Sequence, residues 1–145
     1  MSAEQTAITL SPKDPEAYNN LGSMLRELGE FNEAEKNHLQ AIKLKPDYVK
    51  AYNHLGYILR ELGRLDEAEQ IYTKALEIEP ENKSILRGRG TVFYDKEKFE
   101  LALKDFNYCK LEDAKIKRIV ISATASFNTF GVFETFIFFS LADCV

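Results

Sequence analysis

The 145-residue chain has no tryptophan, two histidines and two cysteines, and each shortage removes a class of explanation. Cys109 and Cys144 are too few and too far apart to frame a disulfide scaffold or a zinc site, which fits a reducing compartment. His38 and His54 lie in different segments, so no nucleophile, base and acid form a set. With seven glycines the chain shows no Gly-rich phosphate loop, and Gly88 is only a weak near-exception. Basic residues do not cluster either: 19 Lys and Arg against 23 Asp and Glu give a net charge of −4, which excludes the electrostatic footprint of a nucleic-acid binder. The opening residues, MSAEQTAITLSPKDP, carry an early acid and no apolar run of signal-peptide length, so a cytoplasmic chain is expected. No metal, cofactor or catalytic set is legible, and the expectation is a chain that is not an enzyme.

What the sequence does contain is a repeat. Its length suits one compact unit or a short array, and 45% apolar with 29% charged residues is a globular composition. Laying Pro15 to Tyr48 over Val49 to Asn82 gives 15 identities in 34 positions, including AYN, LG, LRELG and a late proline. Moved on to Lys83, the same frame keeps Gly90 and Ala102, while Leu86, Phe93, Phe99 and Phe106 preserve apolar character. A fixed period of this size marks a stack of supersecondary units.

Within each copy the apolar residues twice follow helical spacing, broken near Gly29, Gly63 and Glu97. The pattern predicts an all-α chain with helices near 15–28, 32–44, 48–62, 66–78, 83–96 and 99–111. Asp14 before Pro15 reads as an N-cap with proline at the first helical position. Asn32 with Glu35, and Asp66 with Glu69, have the spacing of capping boxes for the second helices, and Pro46 and Pro80 stop those helices. Gly22, Gly56 and Gly90 share one position of the first helix, and Ala34, Ala68 and Ala102 share one of the second, so backbones are expected to approach closely there. Tyr18, Leu21, Leu25, Tyr52, Leu55 and Leu59 are the expected core between units.

Read in order, Tyr18, Leu21-Gly22, Ala34, His38, Ala41, Pro46 and then Tyr52, Leu55-Gly56, Ala68, Tyr72, Ala75, Pro80 resemble the tetratricopeptide repeat. A third, weaker copy reads Leu86, Arg89-Gly90, Phe93, Ala102, Phe106, Cys109, Ala114, with Ala114 where a proline should end the unit. The YNNLG and YNHLG segments are similar to the repeat regions of bacterial multi-repeat proteins and of O-linked N-acetylglucosamine transferases. The resemblance implies an α-solenoid, a right-handed superhelix of three hairpins: a lead-in over 1–14, repeats over 15–48, 49–82 and 83–114, and an atypical apolar segment over 115–145. It further implies a protein-binding scaffold whose first helices line a concave groove for a peptide. The competing reading is a substrate-docking module from a larger transferase-type enzyme.

Residues off the packed face of the first helices are the groove candidates. They are Asn19, Asn20, Ser23 and Arg26 in the first repeat, Lys50, Asn53, His54, Tyr57 and Arg60 in the second, and Arg87, Thr91 and Tyr94 in the third. The acids Glu16, Glu27, Glu61 and Asp95 lie among them. Asparagines can donate to and accept from a peptide backbone, and arginines can pair with carboxylates. The plainer reading is an ordinary solvated face whose Arg and Glu residues support one another. His38 is expected to fill an aromatic slot and Cys109 to replace a small packing alanine. The clamp by which one subtype of the family grips chaperone carboxylates is not reproduced, since Asn19, Ser23 and His54 stand at the places to compare.

From Ile119 to Val145 the composition changes: 17 of 27 residues are apolar, six are Phe and none is Lys or Arg. Three readings stand open for it: a packed terminal cap, a membrane tail anchor opposed by Glu134, and a frameshifted end of a longer repeat protein.

Overall fold

The structure, a computed structural model, describes residues 13–109. Its first helix starts as the sequence predicts, with Asp14 Oδ1 accepting the backbone N–H of Glu16 at 2.9 Å ahead of Pro15. Six helices follow in order among the described residues, with no strand between them: α1 (Pro15–Glu27), α2 (Phe31–Leu44), α3 (Val49–Glu61), α4 (Leu65–Ile78), α5 (Lys83–Asp95) and α6 (Phe99–Tyr108). The expected helices are all present, most boundaries moving by a residue and α6 ending at Tyr108. The third repeat's exit at Ala114, and every reading of the segment beyond it, lie outside the described residues.

Tight turns join each first helix to its second. Gly29 and Gly63 adopt φ of 81° and 75°, the left-handed conformation that glycine enters without a Cβ clash. The third turn places Glu97 there, at φ 58°. Because these turns close so abruptly, the second helices begin at Phe31, Leu65 and Phe99, with Glu30, Arg64 and Lys98 at the N-cap and no side-chain cap bond. The predicted capping boxes are therefore not formed. Asn32 and Asp66 already lie inside the helices, and Glu35 and Glu69 reach across to the next repeat instead, Glu35 to Arg64 at 2.7 Å and Glu69 to Lys96 and Lys98. Asn82 does cap α5, its Oδ1 accepting from Ser84 and Ile85 N–H at 3.1 and 3.2 Å.

The shared glycines make room for rings more than for backbone. A Cβ at Gly22 would come within 2.8 Å of His38, at Gly56 within 2.6 Å of Tyr72 and at Gly90 within 2.7 Å of Phe106, each ring belonging to the second helix of the same hairpin. Ala34, Ala68 and Ala102 are buried beside them. Gly88 has the same purpose from the other side, since its Cβ would meet the Tyr72 ring at 2.5 Å, so Tyr72 sits between two glycines and no phosphate role is needed to explain Gly88.

Hairpins stack through α2 on α3 and α4 on α5. Tyr52, Leu55, Leu59, Tyr72, Ile85, Leu86 and Val92 form one buried cluster across the second and third hairpins, and Phe93, Ala102 and Phe106 form another within the third. Tyr18, Leu21 and Leu25, predicted as their counterparts, are only half-buried, because among the described residues no hairpin precedes the first. No helix of the described residues is long and apolar enough to cross a membrane.

Candidate functional site

Helical spacing brings the predicted residues of α1, α3 and α5 onto neighbouring turns, and the first helices of successive hairpins touch directly, α1 with α3 and α3 with α5. Asn19 departs from the expectation: it is 5% exposed, with Oδ1 buried and unbonded among the described residues, so it belongs to the interior. Asn20, Lys50, Tyr57 and Arg87 are exposed, and Ser23, Arg26, Asn53, His54, Arg60, Thr91 and Tyr94 are half-buried. Two hydroxyls are spent locally, Ser23 Oγ donating to the Asn19 carbonyl at 3.0 Å and Thr91 Oγ1 to that of Arg87 at 2.9 Å. Tyr94 meets Phe99 edge-on, centroids 5.6 Å apart.

Aromatic and cationic groups concentrate where α1, α2 and α3 meet. His38 fills the aromatic slot of α2 and is fully buried, stacked on His54 of α3 at 5.2 Å between centroids. Burial, with His54 and Arg26 nearby, pushes His38 down from 6.5 to about 3, and burial with Arg26 and Lys50 lowers His54 as well. Both rings are thus neutral at pH 7. Arg26 Nη1 lies 3.3 Å from His54 Nδ1, and its guanidinium is 5.4 Å from the centre of the Tyr57 ring. Arginine can only donate, so Nδ1 accepts and the His54 proton resides on Nε2.

Elsewhere the cations are matched to acids. Arg60 pairs with Asp95 and with Glu61 at 3.2 Å. Arg89 forms a two-pronged pair with Asp105, both bonds 2.8 Å, in the interior of the third hairpin.

A cleft of about 410 Å³ opens between the α2–α3 and α4–α5 turns and takes in Lys50 and Asn53 with Lys45, Tyr48, Glu79 and Asn82. The last four were not candidates. They sit in turns, where helical periodicity carries no signal, and only the stacking of hairpins brings the two turns together.

Cys109 is half-buried, its Sγ 3.4 Å from the Lys83 carbonyl, and burial raises its thiol, which is the state of a packing residue and not of a nucleophile. Among the described residues no group of His, Cys, Asp and Glu could hold a metal ion.

Stacked hairpins with second-helix rings seated over first-helix glycines define a helical-repeat solenoid. A family model described as tetratricopeptide repeat matches residues 13–81, where the chain is similar to that family. No curated protein matches it in sequence. Solved structures similar in fold include MamA, at 26% identity and TM-score 0.69 over 79% of this chain and 67% of that one. YrrB, a TPR protein with an unusual peptide-binding site, is 24% identical at TM-score 0.78, covering 88% of this chain and 68% of its own. The first TPR of Spaghetti (RPAP3), bound to HSP90 peptide SRMEEVD, is 14% identical at TM-score 0.76 over 79% and 94% of the two chains.

Proposed function

We propose that this chain is an interaction scaffold that holds an extended peptide segment of a partner protein along a concave face made by α1, α3 and α5. The observation that carries the reading is the asymmetry of contact: successive first helices touch each other, whereas successive second helices make no comparable contact. A stack closer on one side than the other curves toward the closer side, so the first helices line the inner surface. Asn20, Lys50, Asn53 and Tyr57 then offer backbone-directed amides, a cation and an aromatic platform to one strand of peptide. That YrrB carries a peptide-binding site and Spaghetti is bound to a peptide supports the same use of this fold.

The test is capture of a partner-derived or synthetic peptide by the full chain and by an Asn53→Ala/Tyr57→Ala variant. Neither side chain belongs to the buried clusters, so the variant should melt within a few degrees of the parent while its peptide affinity falls at least tenfold, about 1.4 kcal/mol. Equal affinity in the two proteins would move the binding face elsewhere.

A further inference from the structure

Arg26 and Arg60 stand at one position of successive repeats, 34 residues apart, yet their surroundings differ. Arg60 reaches forward to Asp95 on the next first helix and pairs with Glu61 as well. The equivalent forward partner of Arg26 is Glu61, one repeat before Asp95, but Arg26 does not take it. Its guanidinium is instead held by two rings, donating to His54 Nδ1 at 3.3 Å and lying over Tyr57, and its contact with Glu27 is a long one at 3.9 Å. The sequence explains the difference. His54 and Tyr57 correspond to Gly88 and Thr91 in the third repeat, which offer Arg60 no ring, so Arg60 extends to a carboxylate while Arg26 is turned aside from one.

We propose that this ring-held arginine is a carboxylate subsite: an acidic segment lying along the first helices sets a Glu or Asp side chain against Arg26, with Lys50 supplying a second cation. The inference rests on the groove proposed above and names the chemistry of its occupant. One Arg26 N–H is spent on His54, and the rest of the guanidinium fork remains for a two-pronged bond to a carboxylate. His54 and Tyr57 act as positioning residues, fixing a side chain that otherwise loses rotamer freedom on binding. Lys50 is exposed one turn before His54 on α3. The overall charge of −4 does not oppose this arrangement at close range, since exposed charges farther off than about 8 Å are largely screened at physiological salt.

Fluorescence anisotropy with labelled hexaglutamate amide, hexaglutamine amide and hexaserine bearing a free C-terminal carboxylate separates the outcomes. The full chain should bind hexaglutamate at least tenfold tighter than hexaglutamine, and tighter than hexaserine. Arg26→Gln should bring hexaglutamate to within threefold of hexaglutamine, whereas Lys43→Gln, an exposed charge on α2, should leave the preference intact. Lys50→Gln, at an exposed first-turn position, should cut the preference at least threefold and keeps the test decisive if Arg26→Gln does not fold. A preference that survives both substitutions overturns the proposal, as does an absence of preference in the parent chain or tighter capture of hexaserine. If hexaglutamine binds equally well and Asn53→Ala/Tyr57→Ala abolishes that binding, the subsite fails while the groove stands; if that variant binds every peptide as the parent does, the groove reading fails.

Discussion

At the residue scale, the two interfaces between hairpins solve one packing problem with different pairs. His38 stacked on His54 occupies the place that Tyr72 against Gly88 occupies one repeat later: a smaller ring with a ring beside it, or a larger ring with nothing. The pairs should therefore be exchangeable only together. His38→Tyr alone overpacks against His54 and is expected to lower stability by about 1–3 kcal/mol, while adding His54→Gly should recover most of the loss in a denaturant-melt double-mutant cycle. His38 also gives the fold an acid-sensitive element. The unfolded chain takes up a proton at His38 below its ordinary 6.5, but the folded chain resists until about 3. Protons thus favour unfolding in this window, and the contribution of neutral His38, fully present above pH 6.5, is lost as pH falls toward 3. The His38→Tyr/His54→Gly protein should show a shallower decline of melting temperature over that range. In the third hairpin, Arg89 and Asp105 stand where the second has Leu55 and Ile71, so an ion pair replaces an apolar contact. Removing only Arg89 leaves a buried carboxylate, with Asp105 4% exposed, and is expected to cost about 3–5 kcal/mol, whereas Arg89→Leu with Asp105→Ile should melt close to the parent.

At the scale of the element, the turns matter more than the helix propensities. The LRELG stretch was readable as a helix end because glycine alone enters the left-handed region freely, and both copies do so. Glu97 reaches the same conformation with a side chain attached, so Glu97→Gly should stabilise the third hairpin by roughly 0.5–1 kcal/mol, read as a rise in melting temperature. The capping-box expectation failed at this same scale. Asn32 to Glu35 and Asp66 to Glu69 have the right spacing, but a turn that closes at Gly29 or Gly63 starts the helix earlier than the spacing suggests, which frees the glutamates for neighbours in the next repeat.

Across the described hairpins, apolar burial and ion pairs both couple one hairpin to the next. The cross-repeat bridges Glu35–Arg64 and Glu69–Lys98 recur in register, but their partly exposed groups are worth only about 0–1 kcal/mol each. Burying Leu55, Leu59 or Ile85 is worth about 1.5–3 kcal/mol apiece, so the apolar interface sets the coupling. Gly88→Ala, which pushes a methyl into Tyr72 at that interface, should loosen the third hairpin from the first two. Hydrogen exchange would then rise in α5 and α6 while α1 and α2 stay protected. Identical residues also diverge by place in the stack: Tyr52 and Leu55 are buried, and Tyr18 and Leu21, their counterparts in the repeat, are half-exposed in the first hairpin of the described residues.

The sequence by itself determined the period, the six helices of the described residues, the glycine turns and the small-residue positions, because these depend on local spacing and backbone sterics that recur every 34 residues. Only the tertiary structure decided which way each charged side chain turned. Whether Arg26 meets a ring or Arg60 an acid depends on residues one repeat away, and Asn19 falls inside because neighbouring helices cover a face that a single helix leaves open. Such choices belong to contacts between hairpins, and a repeat read one helix at a time does not contain them.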